Sequence, residues 1–275
     1  MSSSLDDSEL AAIAMLLSLE RLSALQDLTG STRAAIELHQ ETLRLGSRLL
    51  NVIASIELAI RNSVSENLSA HFGTARWLTH PPAPFQWRPT ENEIARKALD
   101  SAQRAEYAKA SAEQRAILEA QAFPRGRPPN TSHIKRAKER RRQIVVSEGK
   151  VIAETTFYFW KRLYSGDYEQ SLWRTTLKRT FPNKLTKRAQ VAAQLEHIYQ
   201  ARNRLAHHEP VLHKRFRDAI TAIDFVVCNL GSSAPSFETP LAKLLADDLI
   251  LVRESAEALH SKLDAYRSNP GRTDR

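Results

Sequence analysis

The amino-acid sequence predicts an all-α protein from its glycine content, its apolar spacing and its composition. Only eight of the 275 residues are glycine, too few for the turns of a many-stranded β protein. Apolar residues recur at spacings of three and four along most of the chain, which is the period of amphipathic helices. With 42% hydrophobic and 26% charged residues, the composition is that of a globular protein. We therefore expect a helical bundle that forms one domain over residues 1–275.

Glycine divides the N-terminal part of the chain into two predicted helices. The first is expected over residues 8–28, with Gly30 just beyond its C-terminal end, where a left-handed conformation is common. A much longer periodic segment covers residues 32–71 and ends at Gly73. Gly46 marks the place where this long helix could bend.

Proline-rich segments at residues 81–89 and 123–130 predict two loops. Between them lie two capping boxes, in which serine or threonine is followed three residues later by Glu or Gln, a pattern typical of helix starts. These are Thr90 with Glu93 and Ser111 with Gln114, and they predict helices over 91–110 and 112–122.

The C-terminal half is predicted to consist of further helices. Thr239 and Pro240 have the character of an N-terminal cap and a first helical residue. The expected helices are 131–164 with a break near Gly149, 168–180, 186–208, 211–230 and 240–267, followed by a frayed tail at 268–275.

The charge balance predicts a polyanionic partner. Forty Lys and Arg residues against 31 Asp and Glu give a net charge of +9, which disfavours acidic tails and favours nucleic acid. The single cysteine, Cys228, excludes an intrachain disulfide and a multi-thiolate metal site. The N-terminus lacks the basic flank and apolar core of a signal peptide, and no apolar stretch approaches about 20 residues. We expect a cytoplasmic protein without membrane contact.

One arginine lies on the apolar side of the predicted helix 186–208. At 100° per residue, Arg202 falls within about 20° of Val191, the centre of a stripe of apolar side chains. A buried guanidinium needs anionic or carbonyl partners to offset its desolvation. Arg202 is therefore either half of a structural ion pair or part of a site for an anionic ligand.

Two histidines follow Arg202 at the predicted end of this helix. His207 and His208 precede Glu209 and Pro210, and the residue before a proline disfavours helix. We expect the last turn to be loosened and both imidazoles to be accessible. Either ring could then swing toward a phosphate held by Arg202.

A second pair of charged residues lies beside the apolar stripe of the long helix 32–71. Glu57 and Arg61 are four residues apart, with the acid first, which is the favourable order for an intrahelical salt bridge. Such a bridge is the simpler interpretation, especially for Arg61. Glu57 could also reach Arg202 and orient its guanidinium.

These residues resemble the Abi-like (abortive infection) branch of the HEPN superfamily, whose motif is Arg, four to six residues, then His. The run ARNRLAHHEP at 201–210 carries that motif. Further blocks occur in the expected order, and together they cover roughly residues 20–230. They are Ile56–Asn62, His71-Phe-Gly, Trp77-Leu78, 149–154, Phe159-Trp160, Leu172-Trp173 and Phe181-Pro-Asn.

The resemblance implies a HEPN-type helical bundle with additional N- and C-terminal helices. It also implies a metal-independent endoribonuclease that acts in phage defence or as a toxin, with no cofactor. Arg202 and His207 match the motif, Asn203 fills its polar position, and His208 is an alternative because a five-residue spacer also satisfies the pattern. Glu57 and Arg61 would support the site. One motif per chain implies a homodimer, and an antitoxin, protein or small RNA, is a possible partner.

The segment 133–142 is strongly basic and has one acid, Glu139. It is either a solvated helix or a non-specific track for RNA phosphates. Its candidate RNA-binding residues are Lys135, Arg136, Lys138, Arg140, Arg141 and Arg142.

Two other functions compete with the endoribonuclease. One is a non-catalytic HEPN module that binds RNA or a partner through the same Arg and His. The other is a DNA-binding regulator, which is disfavoured because no helix-turn-helix pattern stands out. The sequence has no phosphate-binding glycine loop, nucleophile elbow or zinc-protease motif, and we expect no metal.

Overall fold

The computed structural model describes residues 5–268, which contain α-helices, short 3-10 and π segments and no strand. The all-α prediction is confirmed. Apart from Ser268, the tail predicted to fray lies outside the described residues.

Twelve α-helices occur within residues 5–268, joined by loops and by short helical segments at Gly166–Tyr168, Glu169–Trp173 and Leu177–Thr180. In chain order the helices are α1 (Asp7–Leu17), α2 (Leu19–Thr29), α3 (Thr32–Phe72), α4 (Pro89–Lys109), α5 (Ala112–Ala122), α6 (His133–Arg142), α7 (Glu148–Ala153), α8 (Phe157–Arg162), α9 (Arg188–Ala206), α10 (His213–Asn229), α11 (Pro240–Leu244) and α12 (Ala246–Ser268).

The chain divides into two compact units. The first unit comprises residues 1–60 and 181–275, and the second comprises residues 61–180. The boundary lies inside α3, between Ile60 and Arg61. That residues 1–275 form one domain stays a prediction.

The core of the first unit includes the face of α3 on which Ile53 and Ile56 are fully buried, together with α9 and α10. Gly46 lets α9 lie close to α3, because a Cβ atom at this position would lie 3.1 Å from Cδ2 of Leu205. Helix α3 continues without a break through Gly46. Gly46 therefore allows two helices to pack closely and does not break α3.

The second unit has an aromatic core. Trp77, Trp87 and Trp160 are buried, and the indole of Trp87 donates to the carbonyl of Leu78 at 3.0 Å. Phe157, Phe159, Trp160 and Trp173 are all buried and form part of this core.

A buried carboxylate joins α4 to α8 in the second unit. Glu91 is 0% exposed, and it accepts from Nε of Arg162 at 2.9 Å and from the hydroxyl of Tyr168 at 2.7 Å. Burial, and then the hydrogen bond to Glu91, raise the pKa of Tyr168 well above its usual range. Removing one partner of such a buried pair strongly lowers stability, because the other partner is left buried without its counterpart.

Several predicted helices are divided in the structure. The predicted helix 8–28 is interrupted at Ser18, which has φ 76° and separates α1 from α2. The predicted segment 131–164 contains three helices, α6, α7 and α8, and the predicted helix 240–267 is two helices, α11 and α12.

The two capping boxes have different outcomes. Ser111 and Gln114 form the predicted reciprocal pair at the start of α5. Thr90 is not a cap, because α4 begins one residue earlier, at Pro89, after Arg88. The stiff ring of Pro89 is well suited to the first helical position.

Candidate functional site

Helix α9 positions the Arg and His residues of the motif. Val191, Leu195 and Ile198 are fully buried along one face of this helix, which fixes its rotation in the first unit. Arg202 follows on the same side and is partly buried. The predicted location of Arg202 on the apolar side of the helix is therefore consistent with its burial.

The guanidinium of Arg202 forms no hydrogen bond or ion pair with any residue in the range 5–268. The expected contact with Glu57 is absent there, and no structural ion pair accounts for the burial of Arg202. A guanidinium carries five N–H donors, and leaving them without partners in a partly buried place is unfavourable. The arginine is consequently available to an anionic ligand.

The end of α9 is tightly closed rather than loosened. The amide of His207 donates to the carbonyls of both Asn203 and Arg204, at 3.2 and 3.1 Å, so the last turn is closed by hydrogen bonds. The amide of His208 donates to Leu205 at 3.0 Å, and that of Glu209 donates to Arg204 at 2.8 Å. This pair of bonds is the Schellman motif, which satisfies carbonyls at a helix end.

His208 occupies the position that most often contains glycine in this motif. Its φ is 56°, in the left-handed region that is unfavourable for residues with a Cβ atom. Both histidines are exposed. The prediction that they are accessible is therefore confirmed, although a well-formed cap, and not a frayed turn, presents them.

The single chain does not gather the motif into one cleft. Asn203 lines a cleft between α9 and α10. His208 lines a different one, beside Thr42 and Ser47 of α3. Asn203 and His207 are four residues apart and share a face of the helix end, whereas Arg202 and His207 are about 140° apart around the helix axis.

The cleft between α9 and α10 was not predicted from the sequence. It has a volume of about 370 Å³. The polar residues that line the cleft on α9 recur at helical spacing, which the sequence shows. Only the folded chain places the residues of α10 opposite them. The lining residues are His197, Gln200, Ala201, Asn203, Arg204, Val211, Arg215 and Asp218.

Arg204 is fixed by the loop that follows α9. Its Nη1 lies 3.0 Å from Oε2 of Glu209, and its Nε donates to the carbonyl of Pro210 at 3.3 Å. These contacts hold the loop against the helix end, so Glu209 and Pro210 have a structural role beside the two histidines.

The proposed supporting residues, Glu57 and Arg61, are both partly buried on α3. Within the second unit, Nη2 of Arg61 donates to the carbonyl of Thr155 at 3.5 Å. Neither side chain is without a polar or electrostatic interaction. The roles of these residues in supporting Arg202 stay predictions.

Half of the predicted phosphate track is used in helix packing. Arg136 and Arg140 of α6 both bind Glu119 of α5, and Arg140 also donates to the hydroxyl of Tyr107 at 3.3 Å. Arg141 lies 3.7 Å from Asp100 of α4. The three exposed members of the predicted set are Lys135, Lys138 and Arg142, of which Arg142 pairs with Glu139.

Residues 5–268 contain neither a metal-binding cluster nor a membrane-spanning helix. No group of three or more His, Cys, Asp or Glu side chains lies close enough together to hold a metal ion. None of the described helices has the length and apolar character required to cross a bilayer.

Comparisons with known protein families, with curated proteins and with solved structures found no match.

Proposed function

We propose that this protein is a metal-independent endoribonuclease of the HEPN type that acts as an anti-phage effector or toxin. The observation that supports it most directly is Arg202, whose partly buried guanidinium has no acceptor among residues 5–268. An RNA phosphate would supply that acceptor, because a guanidinium holds phosphate as a planar fork. The net charge of +9 favours the same kind of ligand.

The proposed reaction is a transfer of the phosphate within the RNA chain. The 2′-oxygen attacks the adjacent phosphorus while the bond to the 5′-oxygen breaks, giving a 2′,3′-cyclic phosphate and a 5′-hydroxyl. Because imidazole can accept or donate a proton, His207 takes the proton of the 2′-hydroxyl or donates one to the leaving oxygen, and water completes the other transfer. Arg202 stabilises the charge on the phosphate oxygens. Asn203 contacts the substrate beside them.

Two copies of the chain form the proposed active unit. Arg202 and His207 lie on different sides of α9, so one chain does not direct both side chains at one point. A two-fold axis near the end of α9 would bring two sets of these residues to one cleft. The substrate would then lie between the two copies.

RNA cleavage in EDTA tests the proposal. Wild-type protein is incubated with total RNA, and Arg202→Ala, His207→Ala and His208→Ala are compared with it. We expect the Arg202 and His207 variants to lose roughly 10²- to 10⁴-fold in rate while RNA binding is largely retained. The matched controls are Arg76→Ala and His80→Ala, which replace exposed side chains outside the site.

The pattern of losses decides between the two histidines. If His208→Ala is inactive and His207→Ala is not, the catalytic histidine is His208, and the rest of the proposed mechanism is unchanged. If circular dichroism shows that the three site variants are folded and all of them remain active, the nuclease proposal is wrong.

A non-catalytic RNA-binding module is the second candidate. The wide angle between Arg202 and His207 on α9 favours it, since binding does not require both groups to act on one bond. Wild-type protein that binds RNA in a gel-shift assay without cutting it would support this function. An antitoxin partner, protein or small RNA, belongs to the first proposal, because an active ribonuclease must be restrained.

A further inference from the structure

The cleft between α9 and α10 combines an apolar floor with polar walls. Ala201 and Val211 are buried at 5% and 3% exposure and form the floor. Side chains of α9 supply donors along one wall, and side chains of α10 form the other. A volume of about 370 Å³ is within the range of small-ligand sites.

The α10 wall contains an arginine and an aspartate that are not paired with each other. Arg215 and Asp218 are three residues apart and both line the cleft, a spacing that often gives an ion pair on a helix. The guanidinium of Arg215 nevertheless forms no hydrogen bond or ion pair with residues 5–268. Its donors are free for a ligand.

Asp218 is an ionised acceptor beside that arginine. Its Oδ2 lies 2.6 Å from Nζ of Lys214, whose side chain is 80% exposed. The hydrogen bond from Lys214 lowers the pKa of Asp218 most, burial opposes it, and the charges of Lys214, His197 and Arg217 lower the pKa further. A carboxylate has about four acceptor positions, so Asp218 can accept from a ligand while it retains Lys214.

We infer that this cleft binds the guanine base of an RNA nucleotide next to the site at the end of α9. Guanine presents two acceptors, O6 and N7, which an arginine fork recognises bidentately. It also presents two adjacent donors, N1–H and the 2-amino group, which match a carboxylate. Arg215 and Asp218 supply this complementary pair, and Asn203 links the cleft to the helix end. The inference rests on RNA being the substrate of the proposed function.

The other bases fit this wall less well. Adenine has neither O6 nor a donor at N1, and it therefore leaves both Arg215 and Asp218 incompletely paired. The Watson–Crick edges of uracil and cytosine present no pair of adjacent donors for a carboxylate. A site whose polar groups are left unpaired by the wrong ligand discriminates strongly against it.

Cations around the cleft suit the phosphate of the same nucleotide. Arg204, which also pairs with Glu209, lines the cleft beside Arg215, and so does the imidazole of His197. Asp218 is the one acid among the lining residues named above. The amides of Gln200 and Asn203 add donors on the α9 wall, although Gln200 also donates to Glu196 at 3.1 Å. The site therefore favours an anionic nucleotide over a neutral nucleoside.

Binding of guanosine 3′-monophosphate tests the inference independently of catalysis. We expect titration calorimetry of the full chain to give at least about tenfold tighter binding than for the adenosine, cytidine and uridine 3′-monophosphates. Asp218→Asn and Arg215→Ala should each weaken guanosine monophosphate binding roughly 10- to 100-fold. The control is Asp224→Asn, the same change on the same helix, at a residue that pairs with Arg253 outside the cleft.

Cleavage of defined oligonucleotides separates failure of this inference from failure of the proposed function. Substrates that contain a single guanosine should be cut next to it by wild type, and Asp218→Asn should lose that preference. Cleavage at all bases alike, with no selective guanosine monophosphate binding, overturns the inference and leaves the nuclease. Selective binding that the Asp218 and Arg215 variants abolish, without any RNA cleavage, supports the cleft and removes the nuclease proposal.

Discussion

At the scale of single residues, the end of α9 contains a conformation that its sequence does not favour. His208 has φ 56° in a Schellman motif, where glycine avoids the penalty of a Cβ atom. A strained residue at a candidate site is consistent with selection for its side chain rather than for stability. His208 also lines the cleft beside α3. It is therefore a less direct neighbour of Asn203 than His207 is.

Replacing His208 with glycine should stabilise the protein. We expect His208→Gly to raise the free energy of unfolding of the first unit by about 1 kcal/mol, because glycine adopts the left-handed conformation without strain. Urea denaturation followed by circular dichroism measures the change. If His207 is the catalytic histidine, the same variant should retain most of its RNA cleavage.

The control for this substitution is Ala206→Gly, which places glycine inside the last turn of α9. It should lower stability by about 0.5 to 1 kcal/mol. A loss of stability in His208→Gly comparable to that of the control would show that contacts of the His208 ring outweigh the backbone strain.

At the scale of helices, two stacked imidazoles join the start of α10 to α12. The rings of His213 and His260 have centroids 4.6 Å apart and are nearly parallel. The amide of His213 donates to Nε2 of His260 at 3.0 Å, so that nitrogen must be unprotonated. On the other side, Nη1 of Arg267 lies 3.1 Å from Nε2 of His213 and must act as the donor, since a guanidinium accepts no hydrogen bond.

Acidification should weaken this contact between α10 and α12. Burial, and then the neighbouring His213, lower the pKa of His260 below its ordinary value of 6.5; Arg217 and Arg267 act in the same direction, and Asp264 opposes them. The unfolded chain therefore binds the proton more readily, and stability falls as the pH decreases below 6.5. We expect a loss of less than about 1 kcal/mol from His260, because its ring is only partly buried and solvent screens the charge.

Thermal unfolding between pH 7.5 and 5 measures this effect. His260→Gln retains an acceptor for the amide of His213 but does not titrate, so its melting temperature should fall less on acidification than that of wild type. Part of the decrease should remain in the variant, since burial and then Arg21 also lower the pKa of His39. An equal decrease in both proteins would exclude His260 as a source of the pH dependence.

At the scale of the whole molecule, the proposed homodimer makes a prediction about mixed variants. Arg202→Ala and His207→Ala should each be inactive alone, but mixing them should restore part of the RNA cleavage. In a mixed dimer each copy supplies the side chain that the other lacks. Cleavage rates before and after mixing, with the mass measured by light scattering, test this.

Mixing two separate preparations of the Arg202 variant is the control, and it should remain inactive. A wild-type monomer that cleaves RNA at full rate would rule out a site composed of two chains.

Local interactions made much of the helical architecture predictable. Gly30 and Gly73 are in the left-handed region just beyond α2 and α3, Ser111 caps α5, and Thr239 caps α11 ahead of Pro240. Each of these features depends on residues within about four positions of one another.

The break at Ser18 was not predictable in this way. Its sequence context lacks the glycine that usually accompanies a positive φ, so nothing in the local pattern distinguishes it from a helical serine. Leu10 and Ala14 of α1 are buried in a cluster with Leu22 of α2 and Ile36 of α3. Packing of the two short helices against α3 therefore accompanies a backbone conformation that the local sequence disfavours.

The sequence by itself determined the all-α class, most helix ends and the exposed histidines at the end of α9, because helix periodicity and capping are local properties. Only the tertiary structure decided which charges are free. It paired Arg136, Arg140 and Arg141 with acids of α5 and α4, left Arg202 and Arg215 without partners among residues 5–268, and set Asp218 opposite α9. The physical reason is that a salt bridge or a cleft depends on the approach of helices distant in the chain.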